Sequence, residues 1–287
     1  MSLLDPRLQA FVSIVRSQTV HGAAKELKLS QTGVTQRIRA LESQLGVTLF
    51  TRSRRGMMLT QEGEALNRYC VGAGDLEGIT LNQIIGAGKS STIRVNISGP
   101  TSIMTSRIVP SCIHLYERFP SLFLNFEMND SETRTAQLRQ GLAQFVIIPP
   151  EQVANEMDSK VLKPDRYVLV GSPKWKNRKI SEIIKAERII DFYESDQTTF
   201  KYLKKFNLFS TARRERLYAN GNEAIVKLFS AGVGYGSLTS EVAMPYVDRG
   251  EIVILNGKSV FEDHQALAWY PRPEMPHYFM AIVETIK

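Results

Sequence analysis

The chain has 287 residues, of which 43% are hydrophobic and 23% charged, a composition typical of folded globular domains. This length predicts roughly two to three domains, each with its own core. No run of about 18 or more apolar residues occurs, which argues against a membrane-spanning helix, and the first residues lack the pattern of a secretory signal. We therefore expect a cytoplasmic protein.

The cysteines and histidines give little support for redox or metal chemistry. Cys70 and Cys112 are the only cysteines and lie far apart, so we expect two idle thiols in a reducing compartment rather than a redox switch. The histidines at positions 21, 114, 264 and 277 show no metal-ligand spacing. We expect neither a metal nor a cofactor.

The first 27 residues predict two amphipathic helices. The first is marked by apolar residues at three- and four-residue spacing, namely Leu8, Phe11, Val12 and Val15. Thr19 caps the second helix, in which the small residues Ala23 and Ala24 allow close packing against a neighbour.

A third helix, capped by Ser30, carries the clearest pattern. Its apolar stripe, which we expect to face a core, consists of Val34, Ile38, Leu41 and Leu45. The opposite face carries Thr32, Gln36, Arg39 and Ser43, with Gln31 and Thr35 at its side. These amides, hydroxyls and guanidinium groups can bind base edges and phosphates, although an ordinary solvated face of an isolated helix would look similar.

The surroundings of this helix favour nucleic-acid binding. Residues 28–30 form a turn between the second and third helices, as in a helix-turn-helix, and residues 47–60 predict a two-stranded wing. Residues 1–60 contain nine cationic and three acidic side chains and therefore hold +6 of the net charge of +7. Segregated positive charge points to a polyanionic partner, here double-stranded DNA.

The predicted contacts with DNA divide by chemistry. We expect base-edge contacts from the first turns of the third helix, at Gln31, Thr32, Thr35 and Gln36. We expect phosphate contacts from Arg37, Arg39, Arg52 and Arg54, while Arg55 at the wing tip would reach the minor groove.

Residues 61–85 predict a long helix that Gly72, Gly74 and Gly78 weaken by about 1 kcal/mol each relative to alanine. Such a helix would gain stability by packing against a second copy of itself, and the alternative is a flexible tether. Residues 86–91 are rich in small residues and predict a hinge.

Residues 92–287 alternate strands with helices, beginning with a strand at 93–97 and a single helix over 101–118, which predicts an α/β fold with parallel β-α-β units. We expect two small open sheets, with the last segment returning to the first. The predicted domains are 1–60, 61–91 and 92–287. Within the last domain, subdomain I spans 92–164 and 267–287, and subdomain II spans 165–266.

A cleft between two open sheets is a natural ligand site, because ligands bind beyond the carboxyl ends of parallel strands. The turns that follow or precede the predicted strands supply the candidate ligand-binding residues Ser98, Thr101, Ser102, Asp130, Ser131, Asp196, Gln197, Thr198, Asn222 and Glu223. Hydroxyls at helix N-termini suit a carboxylate, and acids suit an ammonium or guanidinium group. Each of these residue types is also an ordinary helix cap.

Residues 4–63 resemble the N-terminal signature of the LysR-type transcriptional regulators. The shared motifs are AA-x-x-L at 23–27, I-x-x-LE-x-x-LG-x-x-LF-x-R at 38–52 and LT-x-x-G at 59–63. The resemblance implies a winged helix-turn-helix, a linker helix that pairs protomers, and an effector-binding domain of the periplasmic-binding-protein type. It also implies promoter DNA, a small-molecule effector and RNA polymerase as partners, and a homodimer or a dimer of dimers.

Two stretches, NDSETRTAQLRQG and the segment beginning NGNEAIVKLF, resemble the branch of this family represented by ArgP and LysG (IciA). That branch responds to lysine or arginine, which makes a basic amino acid the expected effector. Glu194 and Asp196 lie in a region where the branch carries acids.

Two other classes compete with this interpretation. One is a solute-binding or enzymatic α/β domain with an accessory DNA-binding module, and the other is a DNA-binding protein without an effector. The sequence contains no G-x-S-x-G, no P-loop, no G-x-G-x-x-G after a strand and no paired metal ligands, so we do not expect an enzyme.

Overall fold

The computed structural model describes residues 4–53, 56–85, 92–130, 133–272 and 275–287. Its first three helices are α1 (Pro6–Ser17), α2 (Val20–Leu27) and α3 (Gln31–Leu45). The predicted caps are confirmed, since the Thr19 hydroxyl accepts from the Gly22 N–H and the Ser30 hydroxyl from the Gly33 N–H, each at 3.0 Å. Gly46 ends α3 with a φ of 68°, a left-handed conformation that suits glycine.

The three helices share one apolar core. It contains Phe11 and Ile14 of α1 and Val34, Ile38 and Leu41 of α3, all buried. The prediction was wrong for Leu45, which is 45% exposed. Leu45 is the last residue of α3, so its side chain lies beyond the helices that cover the other members of the stripe.

The wing follows α3 and consists of the antiparallel strands β1 (Phe50–Ser53) and β2 (Gly56–Leu59). The Gly56 backbone lies against the end of α1, because a Cβ at this position would come within 2.5 Å of the Gln18 carbonyl oxygen. The next residue, Met57, donates its N–H to that oxygen at 2.9 Å. These contacts fix the wing to the helical core.

Helix α4 (Gln61–Ile85) begins at the end of the wing, over the predicted span. The Thr60 hydroxyl accepts from the Gly63 N–H at 3.0 Å and donates to the Thr48 carbonyl at 2.7 Å. A Cβ at Gly63 would stand 2.2 Å from the Leu49 carbonyl oxygen, so only glycine fits there. The LT-x-x-G motif therefore joins α4 to the segment that precedes β1.

The first C-terminal sheet has the strand order β4-β3-β5-β13-β6. Its strands are β3 (Ile93–Gly99), β4 (Leu122–Met128), β5 (Phe145–Ile148), β6 (Asp158–Val161) and β13 (Ala266–Trp269). Its helices are α5 (Thr101–Ile103), α6 (Val109–Cys112), α7 (Leu115–Arg118), α8 (Arg134–Arg139) and α13 (His277–Thr285). The expected return of the last segment to this sheet is confirmed by β13.

The second sheet has the strand order β11-β7-β10-β8-β9, with β12 also paired to β7. Its strands are β7 (Asp165–Gly171), β8 (Arg188–Asp191), β9 (Arg216–Tyr218), β10 (Gly234–Thr239), β11 (Val253–Ile254) and β12 (Phe261–Asp263). The helices around it are α9 (Ile180–Ala186), α10 (Thr198–Lys205), α11 (Asn222–Ala231) and α12 (Ser240–Asp248).

Three predictions for this region need correction. The sheets are mixed rather than parallel, since β13 runs antiparallel to β5 and β6, and β7 antiparallel to β10. Strands β6 and β12 were not predicted. The single helix predicted over 101–118 is interrupted by a π-turn at Met104–Ile108, just before Pro110, which has no N–H to continue the helical hydrogen bonds.

The chain crosses between the sheets twice, and the two crossings lie side by side. Asp165 at the start of β7 pairs with Asp263 at the end of β12, and the Leu162 N–H donates to the Gln265 carbonyl at 2.8 Å. The carboxyl ends of β3, β5 and β8 lead into the space beside these crossings. In the described part of the chain, no helix is both long and apolar enough to cross a lipid bilayer.

Candidate nucleic-acid interface and interlobe cleft

The outer face of α3 is open to solvent. Gln31, Thr32, Gln36 and Arg39 are exposed and Thr35 is half-buried. The Thr35 hydroxyl donates to the Gln31 carbonyl at 2.9 Å, a bond within the helix that leaves the hydroxyl oxygen able to accept a hydrogen bond. The Gln31 amide lies 3.3 Å from a ring nitrogen of His21 on α2.

The predicted basic residues occupy different parts of this domain. Arg39 lies on the outer face of α3, whereas half-buried Arg37 lies on its flank and donates to the Pro6 carbonyl at 3.5 Å. Arg52 is exposed on β1 of the wing. Arg54, Arg55 and, in the C-terminal domain, Ser131 lie outside the described residues, as do residues 86–91 of the predicted hinge.

A cavity of about 240 Å³ lies between the two C-terminal sheets. Five of the predicted ligand-binding residues line it, namely Ser102, Asp130, Asp196, Gln197 and Thr198. They follow β3, β4 and β8, so the structure brings together turns that are far apart in the sequence. The carboxyl ends of these strands form the walls of the cleft, as expected for open α/β sheets.

The other predicted ligand-binding residues that the structure describes do not line the cavity. Thr101 positions the Asp130 carboxylate. The Thr101 N–H donates to one carboxylate oxygen at 2.8 Å, and the Thr101 hydroxyl donates to the other at 2.6 Å. Ser98 is fully buried and donates to the Gln137 side chain at 2.9 Å. Asn222 donates to Thr105 across the cleft at 3.3 Å, and Glu223 is exposed at the start of α11.

Acidic side chains outnumber basic ones in this cavity. Among the described lining residues, the acids are Asp130, Glu151, Asp196 and Asp263, and the cations are Arg134 and Lys201. Lys201 pairs with Asp263 at 3.1 Å. Burial, together with the carboxylates of Asp165, Asp263 and Asp196, raises the pKa of the Tyr167 phenol above its ordinary value. The cavity therefore has an excess of negative charge.

Two buried polar groups in the wall have no protein partner. Ser237 is 5% exposed and Gln265 is 9% exposed, and neither the Ser237 hydroxyl nor the Gln265 side-chain oxygen has a hydrogen-bond partner among the described residues. Buried polar atoms without partners are rare in native proteins. A polar ligand or a water molecule in the cleft would supply the missing partners.

Sequence reasoning missed Tyr167, Ser237, Asp263 and Gln265 as residues of the cleft. Asp263 and Gln265 lie at the crossing between the sheets, where β12 was not predicted. Ser237 lies inside β10 rather than in the turn that leads from this strand into α12. Only the antiparallel pairing of β7 with β10 and β12 brings these positions together, and that pairing leaves no local sequence signal.

Two buried ion pairs lie close to the cleft. Asp191 pairs with Arg216 at 2.6 Å, and Asp165 pairs with Arg107. Burial raises the pKa of each carboxyl to about 6, despite its arginine partner. Cys70 and Cys112 are also buried, and burial raises the pKa of each thiol to about 11.

Comparison with known proteins gives two family matches. Residues 6–64 match the model of the bacterial regulatory helix-turn-helix protein of the lysR family, and residues 88–287 match the LysR substrate binding domain. The chain is 25% identical over 258 residues to the transcriptional regulator AbaB of Streptomyces antibioticus, covering 86% of this chain and 85% of AbaB. It is 24% identical over 287 residues to PtxR of Pseudomonas aeruginosa, covering 98% of this chain and 91% of PtxR.

Solved structures show the same fold along almost the whole chain. ArgP from Mycobacterium tuberculosis has a TM-score of 0.81 and 20% identity, covering 99% of this chain and 96% of ArgP. LysG from Corynebacterium glutamicum, with the effector Arg bound, has a TM-score of 0.75 and 18% identity, with the same coverage. The chain therefore belongs to the LysR family of DNA-binding transcriptional regulators, in which a helix-turn-helix domain is joined to an effector-binding domain.

Proposed function

We propose that this regulator binds promoter DNA through α3 and the wing, and that lysine or arginine in the interlobe cleft controls this binding. The proposal keeps residues 1–60, 61–91 and 92–287 as the DNA-binding, linker and effector-binding units. The observation that carries the choice of effector is the excess of acids among the residues that line the cleft.

The DNA contacts follow from the exposure and chemistry of α3. Gln31, Thr32, Thr35 and Gln36 are assigned to base edges, because they stand on the outer face of the first two turns. Arg39, Arg52 and Arg54 are assigned to phosphates, and Arg55 is assigned to the minor groove. Arg37 is assigned to a phosphate beside the start of α1, where its guanidinium lies.

The cleft provides complementary groups for a basic amino acid. Carboxylates such as Asp196 and Glu151 suit the α-ammonium and the cationic side chain, and the Arg134 guanidinium suits the α-carboxylate. Ser237 and Gln265 would hydrogen-bond the polar groups of the ligand. LysG, which shares this fold, has been solved with arginine bound, and this supports the same class of ligand here.

Self-association through α4 completes the proposal. This helix exposes Tyr69 by 62% and Leu76 by 52% in the single chain, and large apolar side chains on one helix favour a helical partner. LysR regulators form oligomers, and a dimer would place two α3 helices in successive major grooves.

Calorimetric titration tests the effector. We expect L-lysine or L-arginine to bind, whereas norleucine, which has the size of lysine without its terminal ammonium, should bind at least about tenfold more weakly. Asp196→Asn, which keeps an acceptor oxygen for the Thr198 N–H, should weaken binding of the basic amino acid by a similar factor. A gel shift on the DNA upstream of the protein's own gene, with and without the ligand, then tests control of DNA binding. If neither amino acid gives heat or a thermal shift at millimolar concentration, the effector assignment is wrong.

A further inference from the structure

A second, larger cavity, of about 590 Å³, lies between α4 and the first C-terminal sheet, away from the interlobe cleft. One wall is α4 around Gly72, and the other contains Leu138 at the end of α8, Ala143 and Tyr270. Its volume is within the range of about 300–1,000 Å³ that is usual for small-molecule sites. We propose that this cavity binds a small apolar carboxylate.

The walls are apolar, which sets the body of the ligand. Leu138 and Ala143 are almost completely buried and form the inner wall, and Tyr270 adds an aromatic face. Gly72 leaves the middle of the α4 wall open, because a Cβ at this position would meet nothing within 4 Å. A flat or branched hydrocarbon group would fill this space.

The charges at the rim set the polar end of the ligand. Arg68 and Arg272 both line the cavity, and no acidic side chain is among the described residues that do so. The Arg68 guanidinium stacks on Tyr270 at 4.3 Å, and that of Arg272 on Phe279 at 4.4 Å. Glu156, which accepts from the Tyr270 hydroxyl, lies outside the lining and has Arg139 at 3.9 Å. Two positioned guanidinium groups in an apolar site favour a carboxylate.

This site differs from the interlobe cleft in charge. The cleft has an excess of acids and suits a cation, whereas the cavity at α4 has two arginines and suits an anion. A molecule bound here would touch α4 and the effector-binding domain together. It would stabilise the packing in which the Arg68 guanidinium donates to the Arg139 carbonyl at 3.0 Å.

A second copy of α4 is the competing occupant. Asn67, Arg68 and Val71 contact the effector-binding domain, whereas Tyr69 and Leu76 line the open side of the cavity. At about 100° per residue, Gly72 lies about 40–60° from Leu76 and Tyr69 on the same helix. A partner helix on Tyr69 and Leu76 would therefore cover the open side of the cavity and approach Gly72, while the inner wall around Leu138 would remain available to a ligand.

The test uses 1-naphthoate as the probe and 1-naphthylmethanol as its neutral counterpart, with calorimetry on the full-length chain. We expect naphthoate to bind and the alcohol to bind at least about tenfold more weakly. Gly72→Leu should abolish binding by filling the cavity. Gly74→Leu is the matched control, since it is on the same helix, does not line the cavity and also has open space at its Cβ.

The outcomes separate the explanations. Loss of naphthoate binding in Gly72→Leu, with binding kept in Gly74→Leu, supports the proposal if light scattering gives Gly72→Leu the mass of the wild type, and overturns it if the loss accompanies a change of mass. Absence of binding to the wild type, equal loss in both variants, or unchanged binding in Gly72→Leu each overturns it. Equal affinity for naphthoate and the alcohol overturns the assignment of an anionic ligand. If naphthoate does not bind and only Gly72→Leu changes the mass measured by light scattering, a second copy occupies the cavity.

Discussion

The side chains of α3 differ in what they can recognise, and this difference is the reason why single substitutions are informative. An amide such as that of Gln36 can pair with the edge of a particular base, whereas a guanidinium such as that of Arg39 pairs with phosphates of any sequence. Both side chains are exposed on the same face of the helix. They can therefore be compared without disturbing the core.

We expect Gln36→Ala to reduce discrimination between the operator and random DNA by about 1–3 kcal/mol, because it removes a base contact and leaves the phosphate contacts. Arg39→Ala should instead weaken binding to operator and random DNA alike. It should also lower the slope of log affinity against log salt concentration by about one unit. Fluorescence anisotropy at several salt concentrations measures both effects. An equal loss on specific and random DNA for Gln36→Ala would contradict its assignment.

Unlike the exposed side chains of α3, the two cysteines are buried, and burial suppresses the reactivity of their thiols. Cys70 lies in the core below the helix-turn-helix, and Cys112 lies in the core of the first C-terminal sheet. Burial raises the pKa of both thiols to about 11, so few thiolates exist at neutral pH. The expectation of idle thiols agrees with these surroundings.

At the scale of elements, the join between the wing and α4 shows what the family motifs do. The Glu42 carboxylate accepts from the Leu49 N–H at 2.8 Å, and the Leu49 carbonyl oxygen lies against Gly63. Thr60 caps α4 from the other side. The motif positions Glu42, Thr60 and Gly63 therefore bind a single segment, residues 48–50, to α3 and α4.

We expect Gly63→Ala to lower the free energy of unfolding by about 1–3 kcal/mol, because its methyl group would overlap the Leu49 carbonyl oxygen and force the backbone to move. Circular dichroism during urea denaturation measures this change. The matched control is Gly74→Ala on the same helix, where the added Cβ meets no atom within 4 Å. The control should gain up to about 1 kcal/mol from helix propensity, and a similar loss in both variants would refute the role of close packing.

Helix α8 connects the interlobe cleft to α4. Arg134 at its start lines the interlobe cleft, and its last residue, Arg139, accepts a hydrogen bond from Arg68 of α4 through its carbonyl oxygen. The buried Asn67 amide donates to the carbonyl of the next residue, Gln140. A movement of α8 caused by a ligand in the cleft would therefore act directly on the linker helix.

At the scale of the whole molecule, Arg107 connects the two lobes. This residue of the π-turn pairs with Asp165 at the crossing into the second sheet and also donates to the Lys287 carbonyl at 2.6 Å. Asp165 is 1% exposed, so its charge has little access to water. A buried carboxylate that loses its partner is costly, by about 3–5 kcal/mol.

We expect Arg107→Met to destabilise the C-terminal domain, and to do so more at pH 8 than at pH 5. The pKa of Asp165 is already raised to about 6, so the stability that depends on its neutral form is present at low pH and is lost as the pH rises through 6. Removing the arginine raises this pKa further and increases the penalty above pH 6. The fluorescence of Trp175 and Trp269, both in the C-terminal domain, measures unfolding in urea at the two pH values. An equal loss of stability in Arg107→Met at pH 5 and pH 8 would contradict a role for the charge of Asp165.

Local pattern was sufficient to predict the helix-turn-helix, the wing and the span of α4. The caps at Thr19 and Ser30 depend on contacts within a few residues. The stripe of α3 packs against α1 and α2, but its apolar spacing is a local signal that helical periodicity records directly. Leu45 was the exception in this stripe, because exposure at the end of a helix depends on its neighbours in space.

The interlobe cleft shows what the tertiary structure decided. Strand-to-helix turns led to Asp130 and Asp196, because parallel strands end at one edge of a sheet. Asp263, Gln265 and Ser237 enter the same cleft only through antiparallel pairing between distant strands, which leaves no periodic signal nearby. The sequence by itself thus determined the family and the DNA-binding domain. The charge of the cleft and the cavity beside α4 were decided by the packing of segments that the chain keeps far apart.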